Sequence, residues 1–222
     1  MGAEVICARS KENLMAVTPG DLTRTVAELL ALPLNTVKNY DRKLMEAGLR
    51  SKKGHGRGSA AMTPADAVSL LIGAACVGIE ITKIASAVES VRTLPWPEDD
   101  NTELSSNTDD PELQLLSKFL KRDASELRAF GSAMDSIMRY LVDSGDQNTV
   151  FSFQITTAAG VPLVATILIS GSPFAEGKVQ KLHFLQLQGL GKKMLAPALQ
   201  VRSEVNWEVT LAVANLLSSR AG

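Results

Sequence analysis

The residues best suited to chemistry lie in one short stretch. Asn35, Lys38, Asn39, Arg42 and Lys43 recur at helical spacing, and seven residues on begins a run rich in Lys, Arg and Gly, Arg50-Ser51-Lys52-Lys53-Gly54-His55-Gly56-Arg57-Gly58. An Arg or Lys can contact guanine O6 and N7, and an Asn can make two hydrogen bonds to adenine N6 and N7. Lys, Arg and Thr side chains suit phosphate oxygens, where most protein–DNA hydrogen bonds go. This is recognition chemistry and forms no covalent bond. Base contacts are expected from Asn35, Lys38, Asn39 and Arg42, and backbone or wing contacts from Thr36, Lys43, Arg50, Lys52, Lys53, His55 and Arg57.

Other chemistries find little support. The 222-residue chain has two His and two Cys, Cys7 and Cys76, with no CxxC, so neither a metal centre nor a disulfide framework is expected. No GxSxG is present, and two isolated His residues do not suggest a Ser-His-Asp set. Gly189-Leu190-Gly191-Lys192-Lys193 lacks the earlier Gly and the Ser or Thr of a phosphate loop, because Gln186 and Lys193 stand there. The acidic run 98–112 lacks the order of a calcium loop. The chain is therefore expected to be no enzyme and to need no cofactor or metal. The longest uncharged apolar run, Ala67–Ile79, is shorter than the roughly 18–20 residues that span a bilayer, and no signal-peptide core opens the chain. No membrane association and a cytoplasmic, nucleoid-associated location are expected.

The elements that must position the basic face can be read from periodicity. Leu22, Val26, Leu29 and Leu30 mark a helix from Pro19 to Ala31, and Leu34, Val37, Asp41, Leu44 and Met45 mark another in which Asp41 alone is polar. Leu29, Leu32, Val37 and Leu44 are expected to bury between the two. Thr63-Pro64-Ala65-Asp66 opens a third helix, with Thr63 as N-cap. A fourth is expected from Glu80 to about Val91. Leu113, Leu116, Leu120, Leu127, Met134, Ile137 and Leu141 form a further helical stripe, with Asp123 as a cap inside it, and it suits either a dimer contact or a core helix. After Gly145 the period changes to two: Phe151–Ile155, Val161–Ile169 and Leu182–Leu187 read as strands of an antiparallel meander, followed by a helix over Val201–Leu217.

Charge divides the chain. Residues 1–62 hold ten Lys and Arg against six Asp and Glu, whereas 98–112 holds seven acidic residues and no basic one. The acidic stretch cannot bury a core and reads as a linker. The expected organisation is α+β: a helical domain over 1–95 that presents the basic face, an acidic linker over 96–112, and a domain of helices plus a small β-meander over 113–222 for dimerisation or partner binding.

The segment TVAELLALPLNTVKNYDRKLMEAGL, 25–49, resembles the winged helix-turn-helix transcriptional regulators of bacteria and phages. Ala27-Glu28-Leu29, the turn Ala31-Leu32-Pro33, Thr36-Val37, Leu44 and Ala47-Gly48-Leu49 carry the likeness, and the Gly-rich run 51–58 is similar to a wing. Pro33 stands at the usual Ser or Thr cap position and Ala31 where Gly is common. The resemblance implies sequence-specific binding to double-stranded promoter or operator DNA through a recognition helix at about 33–46, and a homodimer; RNA polymerase or another regulatory protein is the candidate partner of residues 113–222. Two rival readings stand beside it: a DNA packaging or recombination accessory protein similar to a phage small terminase, and a protein–protein adaptor.

Overall fold

The structure, a computed structural model, describes residues 17–52, 61–76, 78–96, 111–158, 161–170, 180–185 and 200–219. Four helices come first: α1 (Pro19–Leu29), α2 (Leu34–Glu46), α3 (Pro64–Ala75) and α4 (Ile84–Arg92). Then come α5 (Pro111–Leu120), α6 (Phe130–Ser144), strands β1 (Val150–Ala158), β2 (Val161–Ser170), β3 (Gln180–Leu185) and β4 (Gln200–Val205), and α7 (Trp207–Ser218). The fold is α+β.

Local signals account for the helix ends. Thr18 and Thr63 each cap a helix through a reciprocal pair with the Asp three residues on, Asp21 and Asp66, and Pro follows each cap. The α1–α2 turn closes with Leu32 N–H donating to Ala27 O at 2.9 Å and Ala31 N–H to Glu28 O at 3.3 Å. That pattern needs a left-handed residue, and Ala31 supplies it at φ +52°, where Gly is commoner. Gly48 (φ +78°) plays the same part after α2, with Leu49 N–H on Leu44 O at 2.9 Å. The Ala-Gly-Leu ending is thus a helix stop. Gly145 (φ +62°) ends α6, and Asp146 gathers the turn into β1 by accepting from the Tyr140 and Thr149 hydroxyls and the Asn148 amide. Burial pushes that carboxyl up, but the hydrogen bonds outweigh it and leave it below the ordinary range.

The sheet is antiparallel with order β3-β2-β1-β4. The first three strands form the expected meander, and β4 adds to the free side of β1. This corrects the expected helix over Val201–Leu217. Residues 200–205 are a strand paired with β1, Gln154 donating to Glu204 across it at 2.8 Å. The helix begins only at Trp207, where Asn206 accepts from Val209 N–H. Pairing along β1 sets the conformation of Val201–Val205, and their own apolar spacing does not. The expected fourth helix also starts later: a 3₁₀ turn, Ile81–Lys83, precedes α4.

α7 packs on β1 and α4 on β2, and Phe130 and Tyr140 of α6 meet Phe153 and Phe151 of β1, which are buried together with Ile155. The Leu113–Leu141 stripe is buried within the chain's own core, and Asp123 caps a 3₁₀ turn inside it. Residues from both sides of the acidic run contribute to one continuous buried cluster. Arg92 of α4 forms a two-bond ion pair with Asp135 of α6 (3.2 and 2.6 Å) and reaches Ser69 of α3. Beside it, Trp96 N–H donates to Arg128 O at 2.7 Å and Phe130 N–H to Leu94 O at 3.0 Å.

This crossing depends on Gly131. A Cβ there would stand 2.9 Å from Arg92 Cβ and 3.0 Å from Arg92 O. Backbone cannot yield as a side-chain tip can. Gly131→Ala should therefore destabilise by about 1–3 kcal/mol, as overpacking does, although Ala is the better helix former. Urea unfolding checks the sign: a more stable variant would mean that α4 and α6 do not cross this closely.

Candidate nucleic-acid interface

α2 divides sharply by face. Val37, Tyr40, Asp41 and Leu44 are buried. Asn35, Lys38 and Arg42 are exposed, and Thr36, Asn39 and Lys43 are half-buried at the margins. The structure brings these six side chains together on one helix. A helix has the width to enter a major groove. α1, α3 and α4 pack against its other side. Leu44 lies over Gly73 of α3, where an added Cβ would meet Val88, Leu44 and Ile84 at 3.5, 3.7 and 3.8 Å. Below α2, Cys76 is buried, and desolvation pushes its thiol up to about 12, which leaves it protonated and inert.

One expectation about this packing is corrected. Leu29 is 39% exposed, and α1 buries Leu22, Thr23, Val26 and Ala27 instead, with Leu30 and Leu32 partly buried. Leu30 continues the buried arc of Leu22 and Val26, Leu29 falls at the edge of that arc, and after the left-handed Ala31 the chain brings Leu32 back onto the core.

The exposed face is cationic but partly countered. Lys43 and Arg42 both approach Glu46, at 2.7 and 3.8 Å. The hydrogen bond from Lys43 holds the Glu46 carboxyl below its usual range. A polyanion would compete with Glu46 for these two cations. Lys38 has no ion-pair partner among the described residues.

Arg50 differs from its expectation as a phosphate contact. It is 8% exposed, and its Nε and Nη2 donate to the two carboxylate oxygens of Asp41 at 2.5 and 2.6 Å. Asp41, the polar intruder in the α2 stripe, was the sequence signal for this pair. Its partner nine residues on was not legible, because the Gly48 turn has to fold the chain back first. Lys52 is exposed as expected, whereas Lys53, His55, Arg57 and most of the wing-like run lie outside the described residues.

Asp66 does more than cap α3. Its Oδ2 accepts from the Thr63 amide and hydroxyl, both at 2.8 Å, while Oδ1 accepts from the Ser51 amide at 2.6 Å. It is 3% exposed. Its role at Ser51 carried no sequence signal.

Among the described residues, no group of three or more His, Cys, Asp and Glu stands close enough to hold a metal, and no helix is long and apolar enough to cross a membrane. No family model, curated protein or solved structure matches the chain.

Proposed function

We propose that this protein is a sequence-specific double-stranded DNA-binding regulator of transcription. It inserts α2 into the major groove at a promoter or operator and thereby blocks or recruits polymerase. One observation carries the reading. α2 fixes one face in the core through Val37, Tyr40, Asp41 and Leu44 and turns Asn35, Lys38 and Arg42 outward together. A rigid helix with amide and cationic groups on its free face supplies the donors and acceptors that base edges require. Lys43 and Lys52 at the margins suit phosphates. Two copies would meet half-sites about one helical turn apart.

Selection of bound duplexes from a random library with the full chain, at about 150 mM salt so that non-specific binding is suppressed, tests this directly. A recurring or palindromic half-site is expected. Arg42→Ala and Asn35→Ala should then each lose about 1–3 kcal/mol of discrimination at one base position. Lys52→Ala should weaken all duplexes alike and lower the salt slope by about one. Equal losses on selected and random duplexes for all three variants would remove base readout by α2. Enrichment of nothing would remove sequence-specific binding altogether.

A further inference from the structure

Arg50 carries a charge suited to phosphate, yet that charge is matched inside the protein by Asp41. What it does there is set by its third donor. Nη1 donates to the Ser51 carbonyl at 2.7 Å, while the Ser51 amide donates to Asp66. A continuous path of hydrogen bonds thus runs from Asp41 on α2, through Arg50 and both sides of Ser51, to Asp66 and Thr63 at the start of α3. Asp66 therefore holds both feet of the segment that leaves at Lys52 and returns at Thr63. The returning foot has a second anchor, Met62 N–H on Val17 O at 3.0 Å. Asp41, Arg50 and Asp66 are all buried.

The geometry points to Asp41, Arg50 and Asp66 as positioning residues, which fix where the basic segment leaves the protein relative to the exposed face of α2. This inference rests on the DNA reading. Its physical content is preorganisation. A cation whose backbone is already held loses less conformational freedom when it meets a phosphate, so more of the interaction appears as affinity. Because Asp41 is on α2 itself, the base-reading face and the first foot of the segment share one rigid frame. Arg50 touches no phosphate in this scheme and acts through Lys52, two residues on.

The test uses the full chain, on the selected duplex and a random one, over a range of salt. Arg50→Ala alone risks unfolding. Asp41→Leu with Arg50→Met replaces the pair with apolar groups of similar size, a change that is often neutral or stabilising. Asp66→Asn keeps the shape but cannot accept all three hydrogen bonds. Thermal midpoint and the rate of trypsin cleavage after Lys52, without DNA, are measured alongside. The double variant should melt at or above the wild-type temperature and be cut faster. It should bind both duplexes about fivefold more weakly for each phosphate it no longer engages at ~0.15 M salt, with the salt slope lower by about 0.9 per phosphate. The ratio of selected to random binding should stay unchanged. Asp66→Asn should do the same with a lower midpoint. A double variant that melts like the wild type and keeps wild-type affinity and slope overturns the positioning role. So does one cut no faster than wild type. A wild-type protein that binds neither duplex overturns the DNA reading itself, and with it this role.

Discussion

Arg50→Ala is expected to destabilise the fold by about 3–5 kcal/mol, the usual result of leaving one member of a buried ion pair alone. The Asp41 carboxylate would lose both guanidinium hydrogen bonds in a site where the residue is 8% exposed, and the Ser51 carbonyl would lose a third. For a chain of this size each kcal/mol lowers the melting temperature by about 2–4 °C, so the midpoint should fall by roughly 10 °C. A thermal melt followed by circular dichroism checks it. Lys52→Ala is the control: two residues away but exposed, it should shift stability by no more than about 0.5 kcal/mol. Arg50→Ala melting with Lys52→Ala would mean that Arg50 faces solvent, as its place in a basic run suggests.

Phe130→Ala should cost a similar amount, about 3–5 kcal/mol for a fully buried Phe. Phe130 opens α6, meets Phe153 of β1 edge-on at 5.8 Å, and hangs its amide on Leu94 just after α4. The N-terminal helices, the central helix and the sheet all meet at this side chain, and the cavity would open among them. Loss should therefore reach both halves of the chain together. In a Trp207→Phe background, which removes the exposed second Trp, Trp96 buried beside this junction provides a local fluorescence signal, and circular dichroism a global one. Coincident transitions at a lowered urea midpoint are expected. Separate transitions would mean that the two halves do not share a cooperative core.

Most of the helical architecture could be read from the sequence because its signals are local. Thr63-Pro64-Ala65-Asp66 names a helix start by itself, and the Val37–Leu44 spacing names a buried face. What escaped depends on distant partners. β4 becomes a strand because β1, more than forty residues earlier, offers it a free edge. Leu29 points outward because α1 buries the arc of Leu22, Thr23, Val26 and Ala27, and the helices packed on α1 decide which of two neighbouring arcs faces the core. The exposed face of α2 was legible in Asn35, Lys38 and Arg42. Arg50 was not, since charge alone cannot distinguish a cation offered to solvent from one matched inside. The Leu113–Leu141 stripe left two packings open, and the sheet beside it decides for the internal one.

The strand order has a consequence for synthesis. β4 and α7 leave the ribosome after everything they pack on: β1 lies beside β4, and α1 rests against α7. Until they emerge, β1 carries a bare edge able to pair with any extended strand nearby, and α1, which supports α2, lacks part of its bedding. Nascent chains are thus most open to mispairing just before the sheet closes. Slower translation through residues 171–199 would lengthen that exposure without altering the finished fold.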